Sequence, residues 1–594
     1  MILQLIFCGT LLPFALTAQE PFFSDSANHK ADSSGILFTK SIRDGSAHDL
    51  GAYALNYGGL FYQPRFSFSQ WDLFGQYDSY LFDPSLSLPL TDSTFTNAFY
   101  SYGLDDSHQF RIDFSDKVGS THLNLVFDRS SSLGIIPQSD TKIQNFAVQA
   151  KGESGRFNYG VGYSSGLLLL EENAGIADVV DFDTVSTISQ FSTNGKLRSA
   201  SSDLKRRSVT LKNELNLGKL QVDTLDSLRI KRNRHYLVTS AELSDEQAVF
   251  RMDASDIDSM VFPQALINNN ETNDSIGLRS ILLSGGYRFS GKDERTGITL
   301  LYHNQRNDFD PLNRSSLFAE LKRKWWGMTI VQADYTLSGR WRNAISINGR
   351  HQKYFGGGDF FAAIKVDFER ALPSYFYDHY QSNHYTWENN FVSATAVDLG
   401  ASLYAKRLGL AIEINQKNRT GWVYFNEVLD LVQSINTLSV FSSKIKHQFH
   451  SKYLHIYTTL LYQDANNSDV IRLPAFSFRN MLSYNFKLFH LKWTLGYDLS
   501  YWTQYEGYAF NPALRTTYLQ NGTKVGGMPL LDLIASVRIG EADLFARWDN
   551  LLFFNGRSWS ESINYSGSRD FFLYEGYPTI PNIIRVGFNW KFIN

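Results

Sequence analysis

From residue 110 onward the chain keeps a two-residue rhythm. Phe110, Ile112 and Phe114 alternate with Arg111, Asp113 and Ser115; after a turn at 116–119, Leu123, Leu125 and Phe127 alternate with Asn124 and Asp128. Phe157, Tyr159, Val161 and Tyr163 interleave with Asn158, Gly160, Gly162 and Ser164, and Val209, Leu211, Leu215 and Leu217 with Ser208, Thr210, Lys212, Glu214 and Asn216. The last eleven residues repeat the pattern most clearly, with Ile584, Val586, Phe588, Trp590 and Phe592 on one parity and Arg585, Gly587, Asn589 and Lys591 on the other. Successive side chains of a strand point to opposite faces, so each segment predicts a ribbon with one apolar and one polar face. Connections alternate as well: 152–155 and 540–541 read as tight turns, 165–205 and 503–528 as long polar loops. Roughly 20 such strands, within a range of about 16 to 22 and even in number, predict one large antiparallel transmembrane β-barrel.

An alternating face could also lie against a soluble core, so the rest of the chain has to decide. After residue 18 no apolar run reaches the length a membrane helix needs, the nearest being the four leucines 167–170. Residues 1–18 are apolar and uncharged and end on Ala18, which predicts an export signal removed before Gln19. The single cysteine, Cys8, falls inside that segment, so the mature chain has no disulfide, thiolate metal site or cysteine nucleophile. Aromatics make up 15% of the residues and mean hydropathy is −0.26; aromatic girdles around a barrel with only half its strand residues in lipid account for both. Residues 19–94 are irregular and predict a leader lying in the lumen or at the barrel mouth, ahead of a barrel over 95–594.

Candidate chemistry is sparse. There is no HExxH, Walker-type loop or G-x-S-x-G elbow, and no enzyme is expected. His384 is the strongest candidate for a catalytic histidine, and a structural contact in wall or loop is the simpler account of it. Asp253, Asp256 and Asp258 lack the Gly and terminal Glu of an EF-hand, which favours an ordinary solvated loop. His447 and His450, three apart on a strand, point to opposite faces and cannot share a metal. No cofactor or metal is expected. A net charge of −3 implies no nucleic-acid partner.

Charges of both signs recur instead on the polar strand faces: Arg111 and Asp113, Lys212 and Glu214, Asp532 and Arg538, Arg547 and Asp549, then Arg585 and Lys591. On the lipid face a cation near mid-bilayer costs about 2–4 kcal/mol, so all ten are expected to face the lumen and set its charge preference. Phe588, Trp590 and Phe592 are expected to face lipid and to present the C-terminal pattern read by outer-membrane assembly machinery.

Several segments, in order, resemble the putative porin family of Bacteroidetes-type outer membranes. They are His48-Asp-Leu-Gly51, Leu60-Phe-Tyr-Gln-Pro-Arg65, Tyr77-Asp-Ser-Tyr80, Leu90-Thr-Asp92 and Thr272-Asn-Asp-Ser275. More specific is Tyr380-Gln-Ser-Asn-His-Tyr-Thr-Trp-Glu-Asn-Asn-Phe391, close to a Y-x-SNH-[FY]-x-W-x-N-x-F stretch. Tyr508-Ala-Phe-Asn-Pro-Ala513, Tyr518-Leu-Gln520, Leu531-Asp-Leu-Ile-Ala-Ser-Val-Arg-Ile539 and Tyr577-Pro578 complete the order. The resemblance implies an outer-membrane β-barrel acting as a porin, without fixing its solute. The expected role is a passive channel for small hydrophilic solutes, with lipid and assembly machinery as partners. The alternative is a closed structural or docking barrel serving an envelope assembly. A TonB-dependent transporter is disfavoured because the leader is short for a plug domain, and a soluble solenoid because no repeat of fixed period appears.

Overall fold

The computed structural model describes residues 75–81 and most of 94–593, leaving out chiefly 178–194, 219–233 and 559–571. The export-signal segment, Cys8 and most of the leader therefore lie outside the described residues. Twenty-two antiparallel strands form one closed sheet. They are β1 (Phe95–Gly103), β2 (Ser107–Val118), β3 (Thr121–Ser132), β4 (Thr141–Ser154), β5 (Phe157–Glu171), β6 (Ser201–Asn216) and β7 (Arg234–Asp253). There follow β8 (Glu271–Ser290), β9 (Glu294–Asn307), β10 (Pro311–Lys324), β11 (Met328–Ser338), β12 (Ile345–Phe355), β13 (Phe360–Ala371), β14 (Ala394–Ala405) and β15 (Leu410–Thr420). The rest are β16 (Leu438–His450), β17 (Leu454–Ala465), β18 (Phe476–Leu488), β19 (Leu491–Trp502), β20 (Leu530–Ile539), β21 (Ala542–Asp549) and β22 (Ile583–Ile593).

Closure rests on the first and last strands. In their register Tyr102 faces Val586, Tyr100 faces Phe588 and Ala98 faces Trp590 on the outward parity; Ser101, Phe99 and Asn97 face Gly587, Asn589 and Lys591 on the inward one. Outward Val586, Trp590 and Phe592 are 47%, 44% and 42% exposed, whereas inward Asn589 is fully buried. A Cβ on Gly587 would come within 2.6 Å of the Phe545 ring, so glycine leaves the space in which Phe99 and Phe545 stack inside the barrel, 5.7 Å between centroids. With both sheet edges paired, every strand satisfies its backbone within the wall, as a hydrocarbon surround requires.

The two ends differ. One carries tight turns, among them 119–120, 155–156, 489–490 and 540–541; the other carries the connections 172–200, 254–270, 372–393, 421–437, 503–529 and 550–582. The expected loop 165–205 is shorter than its composition suggests, because β5 runs on to Glu171 and β6 begins at Ser201. The leucine block hid the alternation: Leu168 and Leu170 are buried on the inward face while Leu167 and Leu169 face out. Two apolar faces leave no rhythm to read.

Twenty-two strands about 4.8 Å apart and tilted near 40° enclose a cylinder about 40 Å across between backbones. Wall side chains cannot fill that width. At the long-loop end, described residues of the connections pack inside it with the short helix Gly75–Tyr80 of the leader, whose Tyr77 and Tyr80 are buried. Thr94 lies at the opposite, short-turn end, where its hydroxyl donates to Asp116 (2.8 Å).

Candidate permeation path and its mouth

The inner wall is a lattice of cations held by carboxylates. Arg111 joins Asp113 at 2.7 Å and reaches Asp128 at 3.5 Å. Arg547 bridges Asp532 (3.0 Å) and Asp549, and Asp549 also accepts from Arg585 at 2.7 Å. This chain of four charges ties β20, β21 and β22 together; Asp549 is fully buried and Arg585 nearly so. Arg538 turns to Asp543 (2.9 Å) rather than to Asp532. Glu214 accepts two bonds from Arg288 (2.7 and 2.6 Å), and Lys212 stands instead beside Lys151, both flanking Gly160. Lys591 is half-buried on the inward parity opposite Asn97.

Several wall pairs escaped the sequence reading: Arg206 with Glu246 (2.9 Å), Arg295 with Glu320 (2.9 Å), Arg479 with Asp498 (2.7 Å) and Arg419 with Asp398. Their partners lie across strands, and an alternating pattern carries no register. Each of these guanidinium groups is neutralised locally, so this part of the lining is polar without a strong field of either sign. Removing one member of such a buried pair strands the other, at a cost of about 3–5 kcal/mol.

The mouth is built differently, as a packed core. Tyr77, Leu168, Trp341, Phe376, Trp502 and Phe510 belong to one buried cluster drawn from the leader, the wall and five connections. The leader is pinned to it three ways. The Tyr77 hydroxyl donates to Glu172 (2.9 Å), Asp78 accepts from Arg206 (2.5 Å), and Asn145 Nδ2 donates to the Tyr80 carbonyl (2.9 Å). The Tyr77 ring meets Phe510 edge-on at 5.5 Å, and Phe510 meets Tyr577 in the same manner. The 172–200 and 550–582 connections touch backbone to backbone, Ile176 N–H donating to the Gly576 carbonyl (2.9 Å); at φ +85° and +77°, Gly175 and Gly576 permit that approach.

The Ser382-Asn-His-Tyr385 segment forms a clamp. Asn383 Oδ1 accepts the N–H groups of Ile267 (3.1 Å) and Asn268 (2.8 Å), its Nδ2 donates to the Asn268 carbonyl and the Thr272 hydroxyl (both 2.9 Å), and its own N–H donates to Asp274 (2.9 Å). His384 Nδ1 donates to the Gln264 carbonyl (2.9 Å), which leaves Nε2 to accept from the Thr272 hydroxyl (2.8 Å), and its ring stacks on Phe262 at 4.4 Å. With both nitrogens engaged and the ring buried, His384 has the geometry of a structural contact. Tyr385 accepts at its hydroxyl from Asn511 Nδ2 (2.6 Å), and Trp387 donates to the Phe376 carbonyl (2.9 Å). Segments far apart in the chain, at 77–80, 272–275, 380–391, 508–513 and 577, therefore meet at one place.

One carboxyl in this core is strongly perturbed. Burial pushes Glu172 up to about 7, only partly countered by the nearby Ser202 hydroxyl, the hydrogen bond from Tyr77 and the Arg515 charge. Tyr77 is raised well above the ordinary tyrosine value, first by burial and then by Glu172. Asp256 caps the backbone N–H groups of Arg198 (2.8 Å) and Ser199 (2.7 Å). Asp258 lies outside the described residues, and the described residues contain no group of three or more His, Cys, Asp or Glu placed to hold a metal. His450 faces inward against His455 (Nδ1 to Nδ1, 2.9 Å) while His447 faces out. Phe588, Trp590 and Phe592 lie on the outward parity of β22.

A closed barrel with an apolar outer wall, a charged inner wall and loops folded into one mouth defines a large β-barrel of the outer-membrane type. The chain belongs to the family described as putative porin, whose model matches residues 42–594. Solved barrels share the fold. A copper transporter, OprC, aligns with TM-score 0.58 and 11% identity over 85% of this chain and 81% of its own. The ferric-catecholate import receptor Fiu from E. coli K12 gives 0.58 and 12% over 85% and 82%. The FrpB iron transporter from Neisseria meningitidis gives 0.54 and 9% over 85% and 82%. At these identities the likeness concerns the fold. No curated protein matches the sequence.

Proposed function

We propose that the protein is an outer-membrane channel for passive diffusion of small hydrophilic solutes along its mixed-charge lumen, closed at the mouth in the conformation described here. The long connections then lie outside the cell and the tight turns in the periplasm, as in outer-membrane barrels generally. The observation that carries the reading is the inner wall: paired charges of both signs recur along it, from Arg111 with Asp113 to Arg585 with Asp549, in a barrel far too wide for its own side chains to close. Porins of 16–18 strands leave an aqueous channel, whereas 22-stranded transporters have a plugged lumen, and the loop-and-leader core fills that second role here.

Planar-bilayer conductance of the refolded mature chain tests this, beside a variant in which Tyr77→Ala, Asp78→Ala and Asn145→Leu remove the leader's three anchors. Conductance that is small in the parent and rises in the variant supports a gated channel. A second reading, a closed docking barrel, is favoured by the packed mouth; it predicts silence from both proteins and a co-purifying envelope partner lost from the variant.

A further inference from the structure

One stretch of the outer wall breaks the apolar pattern. Across β6, β7, β8 and β9 a single row of directly opposed residues reads Arg207, Asp245, Arg279, Arg306. All four belong to the outward parity and are exposed. Lys205, two residues along β6 toward the long-loop end, is outward and exposed too. Four cations thus share one carboxylate, Asp245, which pairs with Arg279 at 3.1 Å. The nearest other outward acid, Asp203, is taken by Arg251 at 2.6 Å. Arg279 and Arg306 stand directly opposite each other on neighbouring strands, an arrangement that destabilises a sheet unless an anion lies between.

The level of the row says what kind of anion. Immediately toward the short-turn end come Tyr163, Val209, Leu243 and Ile281, then Val161, Leu211, Leu283 and Tyr302, all 38% to 50% exposed. This is the edge of the lipid-facing belt on the long-loop side, where a cation costs about 0–1 kcal/mol and reaches headgroups. The feature is confined to one side: the outward parity of β14–β20 carries no Lys or Arg and a single acid, Asp464.

We propose that Lys205, Arg207, Arg279 and Arg306 form a binding site for the phosphorylated headgroup of an acyl-glycolipid in the leaflet on the long-loop side. The row spans three inter-strand gaps, about 15 Å, wide enough for a sugar headgroup with its phosphates. Planar guanidinium groups match phosphate with paired hydrogen bonds, and acyl chains lie along the leucine and tyrosine rows beneath. The inference rests on the outer-membrane reading.

The refolded chain in detergent, exposed to a bisphosphorylated acyl-disaccharide and examined by native mass spectrometry, provides the test. The parent is expected to retain the glycolipid, and the fourfold variant Lys205→Gln, Arg207→Gln, Arg279→Gln, Arg306→Gln to lose at least about tenfold in retention. Arg323→Gln, on the same wall at the short-turn end, should retain it as the parent does, and excess inorganic phosphate should not displace it. Equal retention by parent and fourfold variant, equal retention of the dephosphorylated glycolipid, or displacement by inorganic phosphate alone would each overturn the proposal. Parallel melting of parent and variant without glycolipid reports folding; relief of the Arg279–Arg306 opposition should leave the variant at least as stable. Protein that inserts into bilayers but ignores the glycolipid overturns this proposal only, whereas a chain that inserts into no bilayer overturns the outer-membrane reading with it.

Discussion

Replacing Glu172 by Gln should make the mouth indifferent to pH. Glu172 is 4% exposed, holds the Tyr77 hydroxyl, and has its ionisation raised from the ordinary 4.5 to about 7 by burial. Below about 4.5 the carboxyl is protonated whether the mouth core is assembled or open, so it makes no difference there. Between 4.5 and 7 only the assembled core holds the proton, and the stability of that core falls as pH rises; above 7 the full penalty is in place. Raising the pKa by about 2.5 is worth about 3.4 kcal/mol, or roughly three-hundredfold in the opening equilibrium, most of it between pH 5 and 8. Hydrogen exchange of the amides that tie the mouth, those of Ile176 and Leu197 among them, should lose about a hundredfold in protection between pH 5 and 8 once intrinsic rates are divided out. Bilayer open probability should rise over the same window. Glu172→Gln should abolish both slopes and hold the core closed at pH 8. A variant that keeps the parental slope, or a parent whose protection grows with pH, refutes the assignment of Glu172 to the latch.

Asp549→Asn should destabilise the barrel by about 3–5 kcal/mol in thermal unfolding, since Arg547 and Arg585 lose their shared acid; Asp113→Asn should cost less, because Arg111 keeps Asp128. Asn383→Leu removes the clamp on 266–272 and is expected to raise conductance while leaving the barrel's melting unchanged; a drop in melting without conductance would place Asn383 in the wall's stability instead. Phe592→Ser should reduce the amount of assembled protein far more than the melting point of what assembles, whereas Lys591→Ser should leave yield alone; pulse-chase of outer-membrane protein beside thermal unfolding measures both, and equal yields would refute the outward-face signal.

The wall was legible because its code is local. Parity alone places Phe110 outward and Arg111 inward, and the same count at Trp590 and Asn589 closes the barrel. It fails where both faces are apolar, as at 167–170, and it says nothing of register. Glu214 sits two residues from Lys212 on one face, yet its partner is Arg288, two strands away. The mouth was illegible for a stronger reason. Asn383 bonds to Asn268 and Thr272, Tyr77 to Glu172, and Asn511 to Tyr385, each across about a hundred residues or more. No periodicity records such contacts. What the sequence did offer was a set of unusual segments with no visible relation to one another.

That relation bears on function. A wall needs only the right class of residue at each parity, since lipid outside and paired charge inside tolerate many choices. A packed core of buried amides and rings tolerates few, because each unsatisfied polar group inside it costs about 1–3 kcal/mol. Tyr77, Thr272, Asn383, His384, Phe510 and Asn511 are restricted in that sense, and all of them sit where the mouth is shut. Were the barrel merely a scaffold, the long connections could stay outside it and be almost anything polar. Folding them inward around the leader, with an ionisable carboxyl at the joint, builds a second structure whose stability can be changed without disturbing the first. The channel proposed above requires that separation: its closure would open by a few kcal/mol of local change while 22 strands stay paired.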